Sequence, residues 1–526
     1  MPWWWAQFSR ANHQDSYSNF EKWHAYFINQ ASSGDTVYLQ SMAWDEENVG
    51  TINWIDGSNS IGLNRLASIG GRTAPLRIIG DKNYDAEKWN HINSIASPFI
   101  EINGSEKSYL THSKICYVAN KGVIISSANH NRNGWNYEHN NSLILWNQEF
   151  PDLLKKIEKE QTDEYNGFFH SQTTTGNIYH YSPYGDTVEL RFSPDDNNNG
   201  MEAGAASIIG RLRYLVENAK ESIIYMANAW GSSSSDPQSN AGNKLKDSIL
   251  LNTRAFKIGA KGAYSAGPVQ TALMNDHTCR IESPMNDQHS KIFVIDMDIV
   301  AAGSANFSNQ AMLKSTQNDE VHIILHDFRA ARRYMSHFHH IMNGLDPENN
   351  GFPDNYDNAP PGQPGNLTVE ADLSSFSLTW TKPLSDVSDF SRYYIFIDSH
   401  PINSNFNLGD KIDDDGDGFF DEDPIGNIDR FASNNSGNGI DNDDDADGYT
   451  DEDPWLYPEA QIKDINQTNT ILTSSNVGDS LVSGVSYWFA VVAVDTQGNE
   501  SLCDTSGPHR LQLTGNSTVM ITEILY

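Results

Sequence analysis

The triplet His112-Ser113-Lys114 returns as His289-Ser290-Lys291, and in each copy an Asn within Ser-Ala-Asn lies seventeen residues after the His, at Asn129 and Asn306. A glutamate closes each copy, Glu138 in Asn136-Tyr137-Glu138 and Glu320 in Asn318-Asp319-Glu320. These residue types suit the cleavage of a phosphodiester. Imidazole titrates near neutral pH, so one His can attack phosphorus while the other protonates the leaving alcohol. Two lysines and two asparagines can hold the non-bridging oxygens as negative charge builds in the transition state. A carboxylate behind each ring fixes its tautomer and supports the imidazolium. The scheme asks for no metal and no cofactor.

At these positions the chain resembles the phospholipase D superfamily, whose signature runs His-x-Lys, four residues, Asp, six residues, Gly-Ser-x-Asn. The second copy fits it in full through His289, Lys291, Asp296, Gly303, Ser304 and Asn306. The first copy departs twice: Ala119 stands at the Asp position and Ser126-Ser127 replaces Gly-Ser. That Asp lies outside the chemistry above, so its loss bears on loop packing. The resemblance implies a phosphohistidine formed by one motif and resolved by water or another alcohol. It assigns His112 as nucleophile and His289 as general acid, an order that could be exchanged. It puts Lys114, Lys291, Asn129 and Asn306 on the phosphate and has Glu138 and Glu320 orient the rings. Arg191-Phe192-Ser193-Pro194-Asp195-Asp196 is similar to the strand that opens a repeat in this family.

The elements around the triplets agree with a duplicated α/β unit. Ile115–Val118 with Gly122–Ser126, and Ile292–Ile295 with Ile299–Gly303, are short apolar runs that read as buried strands. Asn120-Lys121-Gly122 and Met297-Asp298 are the expected turns. His and Lys, two apart, are expected on one strand face. Residues 203–222 and 327–343 read as helices, so the fold class is α/β with α/β/α layered halves at 1–180 and 181–346. A Pro- and Gly-rich linker spans 347–364. At 526 residues the chain is too long for one core. No run reaches membrane-spanning length, and Trp3-Trp4-Trp5 is too short for a signal peptide. Cys116, Cys279 and Cys503 make no disulfide framework, and the first two are expected in or beside the core.

Charge separates the regions. Residues 1–350 carry 29 Lys+Arg against 38 Asp+Glu, and residues 351–526 carry 6 against 31, so −25 of the net −34 belongs to the C-terminal third. A mildly acidic catalytic region lacks the basic footprint of a strong duplex-DNA binder. A phospholipid or membrane surface is therefore the expected substrate, with nucleic acid as the alternative and a monomer as the expected state.

Beyond the linker, residues 365–513 read as an immunoglobulin-like sandwich that resembles a fibronectin type III domain. The signs are Ser377-Leu378-Thr379-Trp380, Tyr393–Ile397 and Tyr487–Val494 as strands, Trp380 as core anchor and Tyr487 as a candidate tyrosine corner. An acidic insertion at 410–454 holds seventeen carboxylates in two related units. Asp413, Asp415, Asp417 and Asp421, then Asp443, Asp445, Asp447 and Asp451, have the alternation of oxygen ligands that Ca²⁺ coordination uses, with Gly418 and Gly448 at the turn. Pro424 and Pro454 stand where an EF-hand has Glu, so the units resemble thrombospondin type 3 or dockerin-like loops. The plain reading, a solvated acidic loop, competes. Bound calcium would be structural, and loops of this kind load where calcium is plentiful, which points to an extracellular setting. Residues 514–526 look like the opening of a lamin-tail-like β domain.

His337-Phe338-His339-His340 beside Arg332 and Arg333 suggests zinc, but the expected reading is a surface helix face. Trp135, close after Asn129, is a candidate rim residue. The function expected is a secreted, metal-independent phospholipase D-like phosphodiesterase. A nuclease of the same superfamily is the alternative. An adhesion or scaffold protein with a vestigial site is the reading from another class, favoured by Ala119 and Ser126 and opposed by the intact His, Lys and Asn set.

Overall fold

Two sheets on one plan carry the two triplets. The computed structural model describes residues 4–9, 20, 24, 28, 31–44 except 33, 76–84, 89, 100–131 except 107–108, 134, 138–146, 150–170, 178–181, 187–194, 202–262 except 233–234 and 236–238, 267–275, 280–281, 288–312, 318–344, 360–402 except 385–388 and 400, 423–424, 454–455, 457–477 and 481–512. The chain divides into two units, Pro2–Asp357 with Asp413–Pro454, and Asn358–Ile412 with Trp455–Tyr526.

In the first unit, strands β1 (Trp4–Ser9), β2 (Val37–Gln40), β3 (Leu76–Asp81), β4 (Ile100–Ser105), β5 (Ile115–Val118), β6 (Gly122–Ser126) and β7 (Asn140–Trp146) form a sheet in the order β1-β7-β6-β5-β2-β3-β4. The second sheet repeats it. Strands β8 (Ile178–Tyr181), β9 (Thr187–Ser193), β10 (Ser222–Ala227), β11 (Phe256–Lys261), β12 (Arg280–Ile281), β13 (Lys291–Ile295), β14 (Ile299–Gly303) and β15 (Glu320–His326) run β12-β11-β10-β13-β14-β15-β9-β8. Strand β10 pairs parallel with β11 and antiparallel with β13, as β2 does with β3 and β5. Among the described residues only β8 has no counterpart, and because it joins the second sheet, the second half begins before residue 181.

The apolar runs are central strands, buried along their length at Ile115–Val118 and Lys291–Ile295. Such strands are covered on both faces and so read as continuous rather than alternating apolar sequence. His112, Ser113 and Lys114 precede β5, whereas Lys291 opens β13. Helices α1 (Pro151–Tyr165), α2 (Ile208–Asn218), α3 (Ala241–Leu251), α4 (Gly267–Asn275), α5 (Asn309–Met312) and α6 (Phe328–Gly344) lie between strands or follow them. Ser207 caps α2 by accepting from Gly210 N, and Asn240 caps α3 by accepting from Asn243 N. One apolar cluster ties α2 and α3 to β10, β13 and β14 through Leu212, Leu245, Tyr225, Phe293 and Ala301. Each Leu or Phe among them, fully buried, contributes about 1.5–3 kcal/mol of transfer free energy.

The Asp that the first half lacks is a loop anchor. Asp296 accepts from the backbone N–H groups of Lys220, Glu221 and Ser222 at 2.7–3.0 Å. Around Ala119 the equivalent loop is held by Asp35, which accepts from Ser32 N at 2.8 Å and from Asn120 Nδ2 at 3.2 Å.

The surface-face reading of residues 332–340 is overturned. Arg332, Arg333, His337 and His339 are all buried. The ring of His337 stacks on Phe8 of β1, with centroids 4.1 Å apart, and Arg333 lies 5.9 Å above the same ring. Helix α6 contacts β1, β13 and β14, so its polar face is used in packing against strands of both halves. Cys116 and Cys503 are buried free thiols, and Cys279 lies outside the described residues.

The second unit contains the antiparallel sheets β16-β17-β22 and β21-β18-β23-β24, made of β16 (Gly365–Ala371), β17 (Ser375–Thr381), β18 (Phe390–Asp398), β21 (Ala460–Ile462), β22 (Asn469–Thr473), β23 (Tyr487–Asp495) and β24 (Asp504–His509). Phe376, Leu378, Trp380 and Leu472 of one sheet share a core with Tyr393, Ile395, Phe489 and Val491 of the other. Tyr487 Oη accepts from the backbone N–H of Val482 at 2.8 Å. Within the acidic segment, β19 (Asp423–Pro424) pairs with β20 (Pro454–Trp455). All eight candidate calcium ligands, Trp135 and residues 514–526 lie outside the described residues.

Candidate active site

Each triplet is strapped to the opposite half. The backbone N–H of His112 donates to Asp319 O at 2.9 Å, and that of His289 donates to His139 O at 3.0 Å. Asp319 sits between Asn318 and Glu320, and His139 between Glu138 and Asn140, so the segment that follows one motif fixes the histidine of the other. Asp319 is itself held: its Oδ1 accepts from His170 N at 2.8 Å, and its Oδ2 lies 3.0 Å from His170 Nδ1. The other nitrogen of that ring is 2.9 Å from Ser105 Oγ.

The side chains cross in the same way. His112 Nδ1 lies 2.7 Å from Glu320 Oε2, which also takes the hydroxyl proton of Ser304 at 2.6 Å. Asn318 Nδ2 donates to the second oxygen, Oε1, at 3.2 Å. A carboxylate so supplied accepts the hydrogen bond of Nδ1–H and leaves a lone pair on His112 Nε2. His289 Nδ1 lies 2.8 Å from Asn140 Oδ1, which takes the hydroxyl proton of Ser127 at 2.7 Å. Asn140 Nδ2 donates to Gly134 O at 2.8 Å and to Glu138 Oε2 at 3.3 Å, which settles which end of this amide is the acceptor. Glu138 stands 3.5 Å from His289 Nδ1.

This corrects the expectation that Glu138 orients a ring as Glu320 does. Strand register pairs Ser126 with Ser142 in the first sheet and Gly303 with His322 in the second. Ser126 and Gly303 both lie fourteen residues after their histidines, so Asn140 is the counterpart of Glu320 and Glu138 is the counterpart of Asn318. The first half reads Glu-x-Asn where the second reads Asn-x-Glu. The likeness of Asn136-Tyr137-Glu138 to Asn318-Asp319-Glu320 hides this, because Asn140 follows Asn129 by eleven residues and Glu320 follows Asn306 by fourteen.

Electrostatics poise the site for an anion. Burial lowers His112 to about 4 and outweighs Glu320, which acts to raise it, while Lys114 and Lys291 lower it further. Burial alone would raise Glu320, but His112, Lys114 and Ser304 hold it below the usual carboxylate range. In the empty site His112 is therefore neutral and Glu320 ionised. Burial, then Lys291, Lys114 and His112, push His289 well down. Lys114 is lowered to about 7 by burial, with Glu320 and Glu138 opposing. Lys291 is likewise pushed well down by burial and by Lys114, with Glu138 and Glu320 opposing. A bound phosphate would offset this repulsion and favour the protonated forms.

The two asparagines complete the ring of donors. Asn129 is buried, and its Oδ1 has no hydrogen-bond partner among the described residues. Asn306 Oδ1 lies 3.5 Å from Asn228 Nδ2. Asn140, Ser127, Ser304 and Asn318 are site residues that the sequence reading missed. The signal for the two serines was their equal place two residues before Asn129 and Asn306.

The family model described as "Cardiolipin synthase, PLD-like domain" matches residues 27–162 and 249–342, which take in both triplets. No curated protein matches the chain. Similar solved structures include phosphatidylserine synthase of Haemophilus influenzae Rd KW20, 12% identical with a TM-score of 0.46, covering 64% of this chain and 86% of that one. They also include polyphosphate kinase of Porphyromonas gingivalis, 11% identical with a TM-score of 0.40, covering 66% of this chain and 51% of that one.

Proposed function

With a phospholipase D-like domain of two halves as the premise, we propose that the protein cleaves phosphodiesters by way of a phosphohistidine on His112. The observation that carries the reading is the bond from His112 to the buried, ionised Glu320 at 2.7 Å, facing a second histidine held from the other half. His112 Nε2 attacks phosphorus, and the P–O bond to the leaving group breaks with its electron pair passing to that oxygen. Protonated His289 gives the leaving oxygen its Nε2 proton. Water or an alcohol then attacks phosphorus, gives its proton to His289, and the P–N electron pair returns to His112. Lys114, Lys291, Asn129 and Asn306 hold the non-bridging oxygens through both steps. The carboxylate favours His112 as nucleophile because it stabilises the charge that the ring gains on attack. The more open setting of His289, with 13% of its side chain exposed against 5% for His112, suits the ring that exchanges protons with acceptors.

A phospholipid is the proposed substrate, supported by the description of the matched family and by the lack of a basic footprint in residues 1–350. Among the described residues no helix is long and apolar enough to cross a membrane. The test is to incubate the protein in chelator with phosphatidylcholine plus ethanol, and in parallel with single- and double-stranded DNA, beside His112→Ala. Phosphatidylethanol or phosphatidic acid that disappears in the variant is expected. Nicked DNA with intact lipid would move the reading to a nuclease, and inactivity on both would favour a scaffold.

The acidic segment is proposed to bind structural Ca²⁺ through Asp413, Asp415, Asp417 and Asp421 and through Asp443, Asp445, Asp447 and Asp451, on the repeated ligand spacing in the sequence. An extracellular setting follows from that proposal, and the fibronectin type III-like identity of the sandwich is proposed with it. Calcium at millimolar level should raise the melting temperature over that in chelator, and identical curves would remove the calcium proposal and the setting drawn from it.

A further inference from the structure

The two catalytic rings differ in the atom behind them. His112 Nδ1 meets a carboxylate oxygen at 2.7 Å and His289 Nδ1 meets an amide oxygen at 2.8 Å, while the hydroxyls of Ser304 and Ser127 approach those two oxygens alike. Geometry is conserved between the halves and charge is not. We infer that Asn140 is a positioning residue that keeps His289 a strong proton donor and so fits the site to phosphodiesters with a poor leaving group, an aliphatic alcohol.

The inference rests on the phosphodiesterase reading above and names the class of bond broken. A carboxylate at Nδ1 stabilises imidazolium and makes it a weaker acid, whereas an amide oxygen fixes the same tautomer without adding charge. An alkoxide is nearly as basic as hydroxide and needs a proton as it departs, while an aryl oxide or a phosphate leaves without one. A site that must expel an alkoxide gains by placing its carboxylate on the attacking ring and withholding it from the acid.

The groups that face His289 fit this account. Lys291 Nζ, from β13, lies 3.2 Å from Nδ1, and Lys114 and His112 add to the field from the other half. Glu138, the remaining nearby carboxylate, uses one oxygen for both contacts, Oε2 lying 3.3 Å from Asn140 Nδ2 and 3.5 Å from His289 Nδ1. Of the two oxygens near Nδ1 the amide's is the nearer, 2.8 Å against 3.5 Å, so the ring's hydrogen bond goes to the neutral group. The inversion of Glu-x-Asn against Asn-x-Glu puts the two residue types in contact in both halves but gives the ring a different neighbour in each.

The full-length protein and Asn140→Asp are compared on phosphatidylcholine and on a phosphatidyl p-nitrophenyl ester, which differ in their need for a proton at the leaving oxygen. In kcat/KM, which reports the steps up to release of the leaving group, Asn140→Asp is expected to slow the choline ester about tenfold or more while changing the nitrophenyl ester little. Equal losses on both esters would show a merely structural role and overturn the inference. An NMR titration of the His289 ring in the presence of inorganic phosphate gives a reading independent of turnover: its midpoint should rise in Asn140→Asp, and an unmoved midpoint also overturns the inference. Wild type that cleaves neither ester would remove the phosphodiesterase reading, and the leaving-group assignment with it, whatever the titration shows.

Discussion

The two halves share strand order, register and the crossed support of their histidines, yet they hold those histidines with different chemistry. In the second half every family position is filled, Asp296 anchors the loop before β10, and Glu320 serves the opposite ring. In the first half Ala119 has lost the anchor, Asp35 and Asn120 replace it, and Asn140 serves the opposite ring. The loop substitution moves an anchor from one side of a turn to the other and leaves the motif in place. The ring substitution changes the charge at a reacting group. The two halves therefore share a backbone plan and differ in the group behind each histidine, where the proposed mechanism has one ring attack and the other give up a proton.

The comparison breaks first at the histidines. His112→Ala should lose at least about 10⁴-fold in kcat on any phosphodiester, because no covalent intermediate can form. His289→Ala should lose about 10²–10⁴-fold in kcat/KM on an alkyl ester but little in kcat/KM on a nitrophenyl ester. Equal losses on both esters in the two variants would reverse or erase the assigned roles. Next come the phosphate ligands. Lys114→Met should cost about 10²–10³-fold in kcat/KM. Lys114, lowered to about 7, is charged below that value and neutral above it in the empty site, so wild-type kcat/KM should fall as pH rises past about 7. In Lys114→Met that alkaline limb should weaken, and a profile flat to higher pH in wild type would remove Lys114 as its source.

The carboxylates sharpen the contrast. Glu320→Gln should reduce kcat by about a hundredfold or more, since it takes the charge from behind the nucleophile. Glu138→Gln should cost only a few-fold, because Asn140 still fixes the tautomer of His289. Equal effects of the two changes would mean that both glutamates orient rings alike. The smallest effect concerns stability: Asp296→Ala frees three backbone N–H groups, should cost about 1–2 kcal/mol, and should lower the melting temperature by a few degrees. An unshifted transition would show that water replaces this anchor, and the loss at Ala119 would then need no compensation from Asp35.

Much of this was legible in the sequence. Equal spacing from His112 to Asn129 and from His289 to Asn306 located two copies of one unit, and the apolar runs after each triplet located the strands that carry them. Period and composition report such features because central strands are buried on both faces and leave long apolar runs. What misled was similarity over three residues. Asn136-Tyr137-Glu138 matches Asn318-Asp319-Glu320 by type, but the first segment is two residues closer to its Ser-Ala-Asn than register requires. The polar face at residues 332–340 misled for a related reason. Arg333 and His337 look solvent-bound by type and are buried against Phe8, a residue more than three hundred positions away.

The sequence by itself determined that two copies of a His, Lys and Asn set exist, that each sits at a buried strand pair, and that an acidic β-rich region follows. These are local properties, carried by spacing, periodicity and charge. Only the tertiary structure decided which carboxylate serves which ring, that Asn140 stands nearer than Glu138 to His289 Nδ1, and that each motif is strapped by the segment following the other. Those contacts join residues 149 to 208 positions apart. They depend on two sheets meeting, which no local pattern encodes.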